Sequence, residues 1–260
     1  MVPLPTEARL SQDIVFYAVV GFLAQFVDGA IGMAYGLTAS SVMLSQGVHP
    51  AMASAGVHAA EVATTALSGA AHWRLGHVIP RLVLRLAVPG VVGGVFGALV
   101  ASKLPMHLLK PAVSAYLVVM GLVVLRRAVL GRAPDPALAT RDAAPIGFGG
   151  GFLDAVGGGG WGPLVTSTLI GRGLDPKMAI GSSNAAEFFV TVAVSAAFMT
   201  TIGIGVWPIV IGLVIGGAIA APFAALATRH MPTRPLMGVV GVVIVTLAGS
   251  SLLRALGVFG

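Results

Sequence analysis

Apolar residues run through this chain in blocks too long for the alternating strands or amphipathic helices of a water-soluble core. The blocks predict helical segments at 14–28, 30–45, 53–72, 78–101 and 108–125, and again at 146–154, 160–171, 179–200, 206–228 and 236–253. Glycines interrupt the first stretch of each set, so 14–45 and 146–171 each read as one apolar run broken in the middle. Between the sets, 126–145 is polar and proline-rich and reads as a linker. The expected organisation is an N-terminal tail over 1–13, a first transmembrane repeat over 14–125, a cytoplasmic linker over 126–145 and a second repeat over 146–256.

Composition sharpens this picture. Of 260 residues, 57% are hydrophobic and only 9% are charged, where a soluble domain carries about 25% charged residues. One soluble core of this size cannot hide so much apolar surface, and several membrane-crossing helices can use it. Disorder, nucleic-acid binding and a soluble enzyme are excluded on these grounds. The lipid bilayer is the expected partner, and a homo-oligomer is compatible with such a surface. Without cysteine there is no disulfide or thiolate chemistry. The first 13 residues lack a basic stretch followed by an apolar core, so no cleavable leader is expected.

The two sets of segments are copies. Shifting the chain by 126 residues aligns 20–61 with 146–187 and gives 14 identities in 42 positions. Asp28 falls on Asp154, Gly32 on Gly158, Tyr35 on Trp161 and Glu61 on Glu187. Matched acids are telling, because the whole chain has only nine.

Basic residues test the orientation of the copies. If each broken stretch crosses the membrane once, the 15 Lys and Arg divide nine to six between the two sides. If each broken stretch enters and returns, the division is eleven to four, with Arg9, Lys103, Lys110 and Arg254 on the poorer side. The second arrangement is the one a positive-inside bias favours. It gives each copy an odd number of passes, hence inverted repeats. The expected fold is therefore an all-α polytopic membrane protein of two inverted repeats, each a broken, re-entrant hairpin plus three transmembrane helices.

Asp28, Glu61, Asp154 and Glu187 lie in or beside apolar segments, where a carboxylate marks a functional interior by default. They are the candidates for coupling or gating, although Asp28 and Asp154 sit where they could instead cap a half-helix. His58, Glu61 and Thr65 share one helix face, and His72 falls on that face near the helix end. His58 and His72 would be about 21 Å apart along the axis, so they cannot share an ion, and no metal or cofactor is expected.

The run Gly157 to Gly160 has no strand before it and no Lys-Ser/Thr after it, so it is not a phosphate loop. Two readings remain: close packing of helices through small residues, or a chain break. A break is favoured, because the first copy repeats the layout around Gly32 and Tyr35. Each half-helix beginning after a break carries roughly +0.5 of a charge at its N-terminus, and two such ends would draw an anion without a buried Lys or Arg. The candidate binding set is Gly32, Tyr35, His58, Gly158, Gly159, Gly160, Trp161, Ser182, Ser183 and Asn184. Ser40, Ser41, Thr166 and Ser167 either add donors or bond back to their own helices.

The stretches FVDGAIGMAYG, HAAEVATTALSGAAHWRLGHV, FLDAVGGGGWGPLVTSTLIGRG and AIGSSNAAEFFVT resemble the TauE/SafE sulfite-exporter family, over roughly 15–255. The resemblance implies a permease of a bacterial-type cytoplasmic membrane for sulfite, sulfoacetate and related small anions. The first copy departs from the glycine-rich pattern, with Ile31, Met33 and Ala34 where the second has Gly157, Gly159 and Gly160. The expectation is a secondary, proton-coupled transporter of small sulfur anions and not an enzyme. A passive anion channel or a cation carrier built on the carboxylates are its rivals.

Overall fold

Local sequence starts the two principal inner helices in the same way. His49 and Asp175 occupy matching positions, each followed by proline, whose fixed φ suits the first helical residue. The His49 side chain accepts the Ala51 N–H, and the Asp175 carboxylate accepts those of Lys177 and Met178. These caps open α3 (Pro50–Arg74) and α8 (Pro176–Thr201). The remaining helices are α1 (Glu7–Ile31), α2 (Tyr35–Ser45), α4 (Pro80–Lys103), α5 (Met106–Val129), α6 (Ala143–Gly157), α7 (Ser167–Gly171), α9 (Trp207–Ala227) and α10 (Thr233–Ala255). A π-helical turn, Gly162–Thr166, leads into α7. The computed structural model describes residues 7–31, 34–129, 142–172, 174–202, 207–227 and 233–258.

The helices follow the apolar blocks. One difference is the start of α1: the tail expected over 1–13 is helical from Glu7. Glu-Ala-Arg-Leu is rich in good helix formers and extends the helix, which an apolar-run criterion does not register. The expected linker is shorter on both sides, because α5 runs to Val129 and α6 starts at Ala143; residues 130–141 lie outside the described residues.

Pro80–Lys103, Met106–Arg126 and Lys177–Thr201 are each long and apolar enough to cross a bilayer. Large apolar side chains face outward as well as into the core. On α4, Leu84, Val88, Val92 and Phe96 recur every four residues and are all more than half exposed, a stripe suited to lipid. The opposite face carries Gly90, Gly93, Gly94 and Gly97, buried against neighbouring helices.

Each copy's broken stretch packs along the fourth helix of the other copy: α1 along α9, and α6 along α4. Both contacts are made at glycine, where backbones touch. A Cβ on Gly216 would stand 1.8 Å from the Ala18 carbonyl oxygen, and one on Gly93 would stand 2.1 Å from that of Phe148. Small-residue contact of this kind is how helices associate without a hydrophobic drive between them. Helices matched by the repeat also pair with each other. In α3 against α8, Ser68 meets Asn184 while His72 meets Gly181, so the two run antiparallel. In α5 against α10, Gly121 lies by Val245 and Leu125 by Gly241, again antiparallel.

Gly216→Ala and Gly93→Ala are each expected to lower stability by about 1–3 kcal/mol through overpacking. Gly149→Ala, with nothing within 4 Å of its added methyl, is the control that should not lower the thermal midpoint in detergent, since alanine is the better helix former.

Candidate functional site at the crossing of two helix breaks

The breaks fall at matching places. α1 ends at Ile31 and α6 at Gly157; α2 begins at Tyr35 and the second half-helix begins at Trp161. In the second break Gly158 and Gly159 take positive φ, 67° and 154°, values that glycine adopts without steric cost. In the first, Ala34 sits at φ 107°. Gly32 and Met33 lie outside the described residues.

A chain break in a membrane interior must satisfy its freed N–H groups internally, and the matched aspartates do so. Asp28 Oδ1 accepts the Tyr35 N–H at 3.2 Å, and Asp154 Oδ1 accepts the Trp161 N–H at 3.1 Å. Both aspartates therefore cap the half-helix that follows. Asp154 has a second role, because its Oδ2 lies 3.1 Å from His58 Nε2 on α3.

The two breaks meet. A Cβ on Gly36 would come within 2.6 Å of Gly159 Cα and 2.8 Å of the Gly158 carbonyl oxygen. Ser40 Oγ donates to the Gly158 carbonyl, and Tyr116 OH on α5 donates to that of Gly159 at 3.2 Å. Ser54 Oγ donates to the Ala155 carbonyl at 2.5 Å. Glu61 reaches the same point, with Oε1 3.2 Å from the Gly36 Cβ position. Its Oε2 is buried without a hydrogen-bond partner, as are Thr38 Oγ1 and Ser41 Oγ.

The remaining predicted residues lie on the second repeat's side. Trp161 is fully buried and donates its indole N–H to Ser183 Oγ at 2.9 Å. Thr166 donates to the same hydroxyl at 2.7 Å. Ser182 Oγ accepts the N–H of Ile79, and Asn184 Nδ2 donates to Ser68 Oγ at 2.6 Å. The donors expected to face a ligand are thus engaged with the protein in this state. Tyr35 OH points to the Leu213 carbonyl on α9, at 3.4 Å. Gly160 stands under the Tyr116 hydroxyl. His72 is not part of the centre: it sits at the end of α3 with its Nδ1 3.4 Å from that of His77.

Asp28, Glu61, Asp154 and Glu187 lie within electrostatic reach of one another around this crossing. Among the described residues no Lys or Arg is buried. His58, Glu61 and Asp154 offer donor atoms within 4.8 Å of one another. The Nε2–Oδ2 separation is that of a hydrogen bond. Arg81 and Arg85 line a cleft of about 240 Å³ with Ile79 and Leu82 at the start of α4.

Tyr116 and Ser54 were not legible as site residues. Tyr116 carried one indirect signal, as one of only three tyrosines in the chain.

Buried carboxylates at paired helix breaks, inside a shell of lipid-facing side chains, define a polytopic membrane protein of the transporter class. The chain belongs to the sulfite exporter TauE/SafE family, whose family model matches residues 17–251. It is 40% identical over 236 residues to a Bacillus subtilis (strain 168) protein described as "Probable membrane transporter protein YtnM", covering 88% of this chain and 78% of that one. No solved structure matches it.

Gly36→Ala is expected to destabilise the protein by about 1–3 kcal/mol, because the methyl would meet backbone and not a flexible side chain. A thermal midpoint equal to that of the parent would remove the close crossing from the account.

Proposed function

We propose that the protein is a secondary transporter of small sulfur-containing anions, sulfite or organosulfonates, in the cytoplasmic membrane. Two inverted repeats move by alternating access, and protons bound at Glu61 and Glu187 couple to the anion. The antiparallel pairing of α3 with α8 and of α5 with α10 supports the inverted arrangement. So does Arg254, whose guanidinium donates to the Ser45 carbonyl at 3.3 Å: re-entrant hairpins put these two residues on one side of the membrane, and single crossings put them on opposite sides.

The observation that carries the reading is the crossing itself, where two half-helix N-termini meet among four carboxylates. Each terminus is occupied by its own aspartate. An anion gains those N–H groups only as the carboxylates lose charge, because ionised acids repel it at a separation where screening is weak. Protonation and anion binding then favour each other, which is the linkage a coupled carrier needs. Export is the direction the family description supplies, and the arginine-lined cleft at the start of α4 suits a vestibule on the basic side. A cation carrier is the second reading, favoured by the net negative charge that the four acids would hold when ionised.

In proteoliposomes the purified protein should accumulate sulfite or sulfoacetate against its gradient when a proton gradient is imposed, and a channel would not. Glu187→Gln should flatten the pH dependence of that transport. Unchanged pH dependence in a folded Glu187→Gln protein would remove this residue as a proton carrier. Stabilisation by Na⁺ or a divalent ion, with none by sulfite, would favour the cation reading.

A further inference from the structure

At matching positions on α3 and α8 the first repeat carries His58 and the second Asn184. The hydrogen bonds around His58 fix where its protons are. Nδ1 faces the Ser54 carbonyl at 2.8 Å and Ser54 Oγ at 3.3 Å. A carbonyl can only accept, and the Ser54 hydroxyl proton is committed to the Ala155 carbonyl. Nδ1 therefore carries a hydrogen. On the other side of the ring, Nε2 and Asp154 Oδ2 lie 3.1 Å apart. Without a proton between them, two lone pairs would face each other in a site where both residues are at most 1% exposed. One proton occupies this contact, either on the imidazole with Asp154 ionised or on the carboxyl with His58 neutral. Both forms leave the pair with no net charge.

We propose that the His58–Asp154 pair is a one-proton switch that ties protonation to the conformation of the second break, with Glu61 as its exchange partner, and that the other repeat has no counterpart. This deepens the proposed function and rests on that reading only for its role in transport. Loss of the proton leaves a net negative pair with opposed lone pairs, so the contact between α3 and the end of α6 opens. Asp154 also holds the Trp161 N–H, so the strain passes directly to the half-helix that follows. Glu61, one turn along α3 with Oε2 unpartnered, is the nearest acceptor, its ligand oxygen within 4.8 Å of the pair. The other titratable groups facing the cluster are Glu187 on α8, Asp28 on α1, Tyr35 on α2 and Tyr116 on α5. None is a base that would neutralise an ionised pair. In the matching place Asn184 cannot titrate and bonds instead to Ser68, while Asp28 serves Tyr35.

A readout without substrate separates this from the transport reading. The chain has three tryptophans, and Trp73 and Trp207 are 59% and 50% exposed. In the full chain carrying Trp73→Phe and Trp207→Phe, Trp161 is the only indole. Its emission, titrated with pH in detergent, should show a one-proton transition. His58→Asn, which copies the second repeat, and Asp154→Asn, which keeps an acceptor for the Trp161 N–H, should each abolish it. Glu187→Gln should retain it at a shifted midpoint. A transition that survives in either folded variant, or its absence from the parent, overturns the proposal. Nitrogen-15 histidine spectra of the unmutated chain decide the matter if neither variant folds. One imidazole must keep Nδ1 protonated throughout while its Nε2 signal shifts with the transition, and the absence of such an imidazole overturns the switch. Failure to transport sulfite with the titration intact would count against the transport reading alone.

Discussion

A helix broken inside a membrane leaves backbone N–H groups with no water to satisfy them, and the architecture follows from that constraint. Each break is closed by an aspartate seven residues before the N–H it caps. Each is also closed by the other break, since the two cross at Gly36 and Gly159 with room for no side chain. An unsatisfied group at this depth would cost several kcal/mol. The two aspartates are therefore structural, because they complete the backbone at each break.

The surrounding helices enclose this crossing. Glycine contacts between α1 and α9, and between α4 and α6, bring backbones together across the two repeats. Large apolar side chains also face outward, as on α4. The polar side chains of the interior are largely spent on one another: Ser183 on Trp161 and Thr166, Asn184 on Ser68, Tyr116 on Gly159. Glu61, Thr38 and Ser41 keep unpartnered atoms.

Much of the fold was readable before any coordinates. Apolar length announces helices directly, and the shift of 126 residues placed both breaks. The resemblance gave the family, and the family model confirms it. The aspartates were open between capping and coupling, and the coordinates place both as caps. The pairing of His58 with Asp154 was not legible, because it joins residues 96 apart in different repeats. Helix periodicity instead grouped His58 with His72, which shares its face but lies at the far end of α3. The partners of Ser182, Ser183 and Asn184 were hidden for the same reason: a face can be read from spacing, but the surface it meets cannot. The start of α1 is not marked by hydropathy, because polar helix formers extend a helix without adding to it.

Ala34 holds a left-handed backbone that its counterpart Gly160 would hold without effort. Such a conformation costs an alanine roughly 1–2 kcal/mol, and every 1.4 kcal/mol is a tenfold ratio of populations. Were the chain a carrier of two inverted copies, as proposed above, identical halves would make its inward-open and outward-open forms equal in energy. A strained methyl present in a single copy would then tilt that balance and give the empty carrier a preferred resting side.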